Sequence, residues 1–129
     1  PHDPQTALTR VKELSMSQAV LWSGHQLVHL RENSTGWEIM AQSTRSCATQ
    51  ICFGAISEEE AAAYVASGEP LEVAGSFTID GLGGAFIDEI HGDHHNVIGI
   101  SIPLVRTMMT DLGLKWTDLW EHSRSQASN

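Results

Sequence analysis

The segment 68–103 constrains the fold of this chain most, because it places acids and glycines between short apolar runs. It reads GEPLEVAGSFTIDGLGGAFIDEIHGDHHNVIGISIP. Polar residues at turns between buried strands are a common way to build a ligand site. The pattern predicts short strands at 76–79 and 85–90, joined by the turn 80–84, and a helix that begins at Pro103.

Two helix-start signals precede that segment. Asp3 stands before a proline, and apolar residues follow at helical spacing, which predicts a helix over 4–14. Ser57 and Glu60 match a capping box. This second helix is predicted to stop at Gly68, because glycine commonly ends helices.

Strand-forming residues lie between these two helices. The spans 19–30 and 37–53 predict two strands around a hairpin loop at 32–36, with a bulge near Ser23 and Gly24. The alternation of helices and strands predicts an α/β fold.

The charge balance excludes one class of partner. The chain has 129 residues and a net charge of -9, from 16 acids against 7 lysines and arginines. Nucleic-acid binders need a basic patch, so we expect no nucleic-acid partner. No apolar run is long enough to cross a bilayer, so we expect no membrane partner.

The cysteines suggest a cellular compartment, and the first residue suggests a longer parent protein. Cys47 and Cys52 stand five apart, so in a strand they point to opposite faces and do not pair. We interpret them as two buried thiols in a reducing cytoplasm. The chain opens on Pro1, so we expect it to be cut from a longer protein.

The HGDHHN motif invites a metal interpretation, with His91, His94 and His95 beside Asp93 as zinc ligands. Zinc needs three or four ligands in tetrahedral geometry. Here the ligands crowd one turn, and neighbours such as His94 and His95 normally diverge. A solvated turn with incidental histidines is the favoured alternative, so no metal site is expected.

The turn 80–84 has two interpretations of its own. Its glycines resemble a phosphate loop, but a predicted strand follows where such loops need a helix, so a tight turn with positive φ is simpler.

Asp80 is a carboxylate that can accept two hydrogen bonds from a planar donor edge such as that of guanine. Its alternative role is to cap the turn by bonding its own backbone. No nucleophile elbow or catalytic triad stands out.

Segment 68–103 resembles the C-terminal signature of the Maf family of nucleoside triphosphate pyrophosphatases, which were first tied to septum formation. The matching motifs, in chain order, are GEPL, AGSF, IHGD and NVIG, followed by Pro103. The resemblance covers roughly residues 1–114, and its many matches in order make it specific.

The resemblance implies a two-lobed parent. Residues 1–122 would form the C-terminal lobe of a Maf/ITPase-like α/β fold, with a mixed twisted sheet flanked by helices, and 123–129 a flexible tail. The missing N-terminal lobe would carry the phosphate loop, the acidic metal ligand and the catalytic aspartate and lysine. No catalytic residue is therefore expected in this chain, and the isolated chain is expected to be inactive.

The resemblance also implies a reaction. The parent would hydrolyse a nucleoside triphosphate to a monophosphate and pyrophosphate with a divalent metal, Mg or Mn, and would form a homodimer. This chain alone would bind no metal and would supply the wall around base and sugar. The residues that match the expected substrate-binding positions are Ser23, Glu69, Ser76, Asp80, Gly81 and Asn96.

Asp80 suggests a substrate preference within the family. Members that prefer dTTP and UTP carry glutamine at the matching place, whereas a subgroup with an AGSF segment and a nearby acid is associated with methylated GTP. A carboxylate only accepts hydrogen bonds, which suits a guanine-like edge. The sequence thus favours a purine or modified purine. The alternative is a non-catalytic interaction module in septum or cell-division control.

Overall fold

The computed structural model describes residues 2–120; the tail expected at 123–129 lies outside them. The helices and strands, in chain order, are α1 (Pro4–Leu14), β1 (Gln18–Asn33), β2 (Gly36–Phe53), α2 (Glu58–Ala66), β3 (Ile87–His91), α3 (His94–Ile98) and α4 (Ile102–Asp111). Short 3₁₀ turns lie at Glu69–Leu71, Ala74–Ser76 and Leu82–Phe86. Within residues 2–120, no helix is both long and apolar enough to cross a bilayer.

The sheet confirms the α/β class and corrects one detail of it. Its strand order is β1-β2-β3, and both pairings are antiparallel. Within the described part of the chain the sheet is therefore antiparallel rather than mixed. The short turn between β1 and β2 reverses the chain, as hairpins do, and accounts for the first of the two pairings.

The predicted helices form where their caps place them. Asp3 accepts the backbone amide of Thr6 at 2.8 Å, and α1 spans the predicted residues. The capping box at Ser57 and Glu60 is present in both directions. Gly68 follows α2 with φ 83°, a left-handed conformation that favours glycine.

The predicted bulge near Ser23 and Gly24 is wrong. Both residues pair regularly with β2, and the register shifts instead between His29 and Leu30. The hydroxyl of Ser23 donates to the carbonyl oxygen of Asn96 at 3.3 Å, which links this regular part of β1 to α3.

The strand predicted at 76–79 is wrong as well. Gly75 and Ser76 have φ values of 73° and 61°, so the chain turns where a strand would need an extended backbone. Phe77 then packs edge-on against Phe53, with ring centroids 5.0 Å apart. The second predicted strand exists, but it begins at Ile87 because a 3₁₀ turn occupies 82–86.

The core consists of two apolar clusters. One joins α1 to α2 and contains Ala7, Val11, Ala61, Tyr64 and Val65. The other lies under the sheet and contains Ile51, Phe53 and Phe77. Phe86 packs against both clusters, so the turn that carries it connects the helical layer to the sheet.

The two cysteines are not buried as predicted. Both are free and partly exposed. Cys52 lies next to the fully buried Ile51 in β2, so its side chain points to the opposite face of the sheet. Cys47 lies on the same side of β2 as Ile51, so the two thiols face opposite sides of the sheet, and neither is fully covered.

Asn96 attaches α3 to the hairpin. Its fully buried side-chain amide donates to the carbonyl oxygens of Leu21 and Cys47, at 3.3 and 3.2 Å, and to the hydroxyl of Thr49 at 3.2 Å. These bonds cross from the helix to both long strands. This one amide therefore joins α3 to both strands of the hairpin, beside the bonds that the hydroxyls of Ser23 and Thr49 donate to the carbonyl oxygens of Asn96 and Asp93.

Replacing Asn96 with aspartate should destabilise the chain by about 2 kcal/mol or more, because a carboxylate cannot donate to the two carbonyl oxygens and is left buried. Urea denaturation measures the loss. Gln26→Glu, the same amide-to-acid change at an exposed strand position, is the matched control and should change stability little. Equal effects of the two substitutions would contradict this role for Asn96.

Candidate functional site: an open cleft beside Asp80

A cleft of about 560 Å³ opens between the first half of β1, the loop that precedes the 82–86 turn, and α3. Its walls are mainly apolar and are formed by Leu21, Trp22, Val73, Ala74, Phe77, Ile79, Val97 and Ile98. Its polar side chains are Ser23, Thr78, Asp80 and Asn96. An apolar cleft with a few polar groups is the usual form of a small-molecule site.

Asp80 is exposed and lines this cleft. Among residues 2–120, no backbone amide or side chain donates a hydrogen bond to its carboxylate. The backbone amides of Leu82 and Gly83, which a turn-capping Asp80 would take, donate instead to Glu69. Asp80 therefore does not act as the turn cap, and its carboxylate remains open to the cleft.

Glu69 is the anion that holds this loop. Its Oε1 accepts hydrogen bonds from the hydroxyls of Tyr64 and Thr78 and from the amide of Gly83, and its Oε2 accepts from the amide of Leu82 at 2.9 Å. The Thr78 hydroxyl, then the Gly83 amide, lower the pKa of Glu69 to about 2. Burial, followed by the bond to Glu69, raises the pKa of Tyr64 to about 12.

The glycines of the 80–84 turn have a different purpose from the one predicted. Gly81, Gly83 and Gly84 all lie outside the positive-φ region, so the predicted positive-φ turn is wrong. A Cβ added at Gly81 would stand 2.6 Å from Oε2 of Glu69. Close packing against Glu69 therefore requires glycine. Because the Glu69 carboxylate occupies the amides of Leu82 and Gly83, these amides are not available to a phosphate.

The remaining predicted site residues divide into two groups. Ser23 and Asn96 line the cleft, and the Oδ1 of Asn96 is a buried acceptor with no hydrogen-bond partner within residues 2–120. Glu69, Gly81 and Ser76 do not line it. Ser76 is fully buried with φ 61°, so its place is in the fold of the loop rather than on the cleft surface.

Sequence reasoning missed Thr78, Tyr64 and Trp22. Thr78 both lines the cleft and bonds Glu69, and Tyr64 reaches the same carboxylate from α2. Trp22 is an exposed residue that is also among those lining the cleft. Strand parity places Trp22 on the opposite face from Ser23, so the parity argument gives no signal for it.

The cleft does not suit a magnesium ion by itself. Asp80 is the one carboxylate among its lining residues, and no lysine or arginine of residues 2–120 lines it. Magnesium in nucleotide sites is usually held by one or two carboxylates together with phosphate oxygens. The residues that line the cleft thus supply neither a metal cage nor a cationic phosphate cradle.

The three histidines of the HGDHHN motif do not act together. Asp93, His94 and His95 have ligand atoms within 4.8 Å of one another, whereas His91 groups with Cys52 and Glu89. The rings of His94 and His95 do not diverge as predicted but stack, with centroids 4.0 Å apart. The zinc trio considered from the sequence is therefore not assembled.

Asp93 has structural bonds of its own. It caps α3 through the amide of His95 at 3.1 Å and accepts the hydroxyl of Ser101 at 2.6 Å. Burial alone would raise the pKa of Asp93, but the hydrogen bonds from Ser101 and His95 lower it. Ser101 in turn donates its amide to Nε2 of His25 at 2.8 Å, which links α4 to β1.

Replacing Glu69 with glutamine should lower the free energy of unfolding at about pH 7 by about 1–2 kcal/mol. The reason is that the glutamine NH₂ group would stand in place of one carboxylate oxygen and would face hydrogen-bond donors, which it cannot accept. The folded pKa of Glu69 lies below its unfolded value. Its stabilisation is therefore full above about pH 4.5 and is lost as the pH falls toward about 2.

The difference between wild type and Glu69→Gln should consequently shrink in urea denaturation at about pH 3. Glu72→Gln is the matched control, since the Glu72 carboxylate is exposed and, among residues 2–120, pairs only with His2, at 4.0 Å. A difference that stays constant across this pH range would argue against an anionic Glu69 anchor.

Comparison with known proteins shows which protein family this chain matches. Residues 1–112 match the family described as Maf-like protein. A nucleoside triphosphate pyrophosphatase of Nocardia farcinica is 44% identical over 95% of this chain and 56% of its own length. One of Cutibacterium acnes is 44% identical over 93% of this chain and 54% of its own.

A nucleoside triphosphate pyrophosphatase/Nudix hydrolase fusion protein of Bifidobacterium longum is 43% identical over 98% of this chain and 25% of its own length. The chain thus spans about half the length of the first two relatives and a quarter of the third. With the family match covering most of its residues, the chain belongs to the Maf-like protein family.

Proposed function

We propose that this chain forms the base- and sugar-facing side of a nucleoside triphosphate pyrophosphatase, which hydrolyses its substrate to a monophosphate and pyrophosphate. The observation that carries the proposal is the Asp80 carboxylate, unbonded within residues 2–120, in a mainly apolar cleft. The names of relatives at 43–44% identity support the reaction class.

The proposed substrate is a purine or modified purine nucleotide. A carboxylate accepts two hydrogen bonds in parallel, which matches the N1–H and N2–H donors of guanine. Apolar walls from Leu21, Phe77 and Val97 suit the faces and edges of a base. Ser23 is proposed to bond the sugar, and the fully buried Asn96 is proposed to shape that wall of the cleft.

The reactive groups are proposed to lie outside this chain. No described lysine or arginine lines the cleft, so the triphosphate charge must be neutralised from another part of the protein. A divalent ion, Mg or Mn, would supply that charge when bound to the whole enzyme. A second lobe, a homodimeric assembly and a cytoplasmic location complete the proposal.

Wild-type enzyme at full length should hydrolyse a guanine-type triphosphate with a higher kcat/KM than dTTP or UTP. Asp80→Gln should shift that ratio toward the pyrimidines by about tenfold or more, because glutamine offers a donor as well as an acceptor. A nucleotide panel measures both. Asp88→Asn, an exposed acid on β3 outside the cleft, is the control and should leave the ratio unchanged. If dTTP and UTP are the best wild-type substrates, the purine proposal is wrong.

Purified residues 1–129 alone should release no pyrophosphate above background, because the groups that act on the phosphates are proposed to lie elsewhere. A coupled pyrophosphate assay with each triphosphate and either metal tests this. Turnover that scales with chain concentration and survives repurification would place reactive groups within this chain.

A second candidate function is a non-catalytic interaction module in septum or cell-division control. It is favoured by the exposed rings of Trp22 and Trp37, which are 68% and 69% accessible on the long hairpin. Exposed apolar surface of this kind favours association. Nucleotide binding separates the two functions, since a module of this type needs no base in the cleft.

A further inference from the structure

A group of three potential metal ligands lies on the sheet face opposite the core: Cys52 of β2, and Glu89 and His91 of β3. The register of the sheet assembles them. Cys52 pairs directly with Glu89, and His91 follows two residues later on the same face. Their neighbours Ile51 and Ile90 pair toward the other side, where Ile51 is fully buried.

The ligand atoms are already close together. The sulfur of Cys52, a carboxylate oxygen of Glu89 and a ring nitrogen of His91 lie within 4.8 Å of one another, and Nε2 of His91 is 3.3 Å from Oε2 of Glu89. Around a tetrahedral zinc ion, with bonds of about 2.0–2.3 Å, neighbouring ligand atoms stand roughly 3.3–3.8 Å apart. Small side-chain rotations, with the strands unmoved, are enough to bring the three ligand atoms to the separations that zinc requires.

We propose that Cys52, Glu89 and His91 form a zinc-binding site that is separate from the cleft. A thiolate, an imidazole and a carboxylate are the ligand types that zinc accepts together, whereas magnesium and calcium select oxygen ligands. Three protein ligands leave the fourth position to water. Cys52 is free of any disulfide, so its sulfur is available to the metal.

The other candidate cluster, at Asp93, His94 and His95, is weaker because its atoms are engaged. The two oxygens of Asp93 accept from His95 and Ser101. Binding a metal there would break the cap of α3, while the site on β2 and β3 would replace an exposed contact between Glu89 and His91.

Zinc at this site would tie β3 to β2. Strand β3 is short and lies at the sheet edge, where its described pairing with β2 covers four residue pairs. A metal bound by both strands adds a cross-strand link, so zinc should raise the thermal midpoint of unfolding in proportion to its binding.

The test uses this chain purified without a histidine tag, under reducing conditions, and titrated with zinc by calorimetry and with cobalt by absorption. We expect one-to-one binding and the near-ultraviolet charge-transfer band of a cobalt thiolate. Cys52→Ser should abolish the band and weaken zinc binding by more than about tenfold, and His91→Ala should weaken it similarly.

Two controls make the result specific. Cys47→Ser removes the other thiol, which lies on the opposite face of β2, and His94→Ala removes an exposed histidine of the competing cluster. Both should retain the band and the wild-type affinity. No zinc binding by wild type, or a band that survives Cys52→Ser, would overturn the proposal. A loss of the band in Cys47→Ser or in His94→Ala that matches the loss in Cys52→Ser would also overturn it. Circular dichroism of each variant confirms that the fold is kept.

Discussion

The carboxylate of Glu69 is the group on which the candidate site depends. It gathers hydroxyl donors from Tyr64 and Thr78 and amide donors from the 82–86 turn into one partly buried network. Because Glu69 satisfies those amides, Asp80 is not needed as a cap. The loop can therefore present a second carboxylate to the cleft without leaving its own backbone unbonded.

A second constraint fixes the other wall of the cleft. Asn96 bonds to β1 and β2 at once and thereby sets the height of α3 above the hairpin. Ser23 returns a bond to the carbonyl of the same residue. The cleft thus lies between two independently anchored parts, the loop held by Glu69 and the helix held by Asn96.

Local signals predicted much of this fold. Asp3, Ser57 and Pro103 each mark a helix start, and each helix begins within a residue or two of the predicted place. Features that depend on tertiary contacts could not be predicted from these local signals. The 76–79 segment reads as a strand by composition, yet Gly75 and Ser76 turn the chain so that Phe77 can reach Phe53.

The same limit applies to the sites. Asp80 and Asn96 follow from the resemblance to the family, but the role of Glu69 required knowing which amides face it. The grouping of Cys52 with Glu89 and His91 depends on strand register, which spacing along the chain does not reveal. The sequence grouped His91 with the other histidines of the HGDHHN motif, whereas the strand pairing puts it beside Cys52, which is far away in the chain.

A carboxyl-carbon NMR titration of Glu69 tests the central claim most directly. The account predicts a titration midpoint of about 2, because four hydrogen-bond donors stabilise the Glu69 carboxylate. A midpoint at the ordinary glutamate value, about 4.3, would mean that Glu69 does not hold the loop. The argument for an unbonded Asp80 would then fail with it.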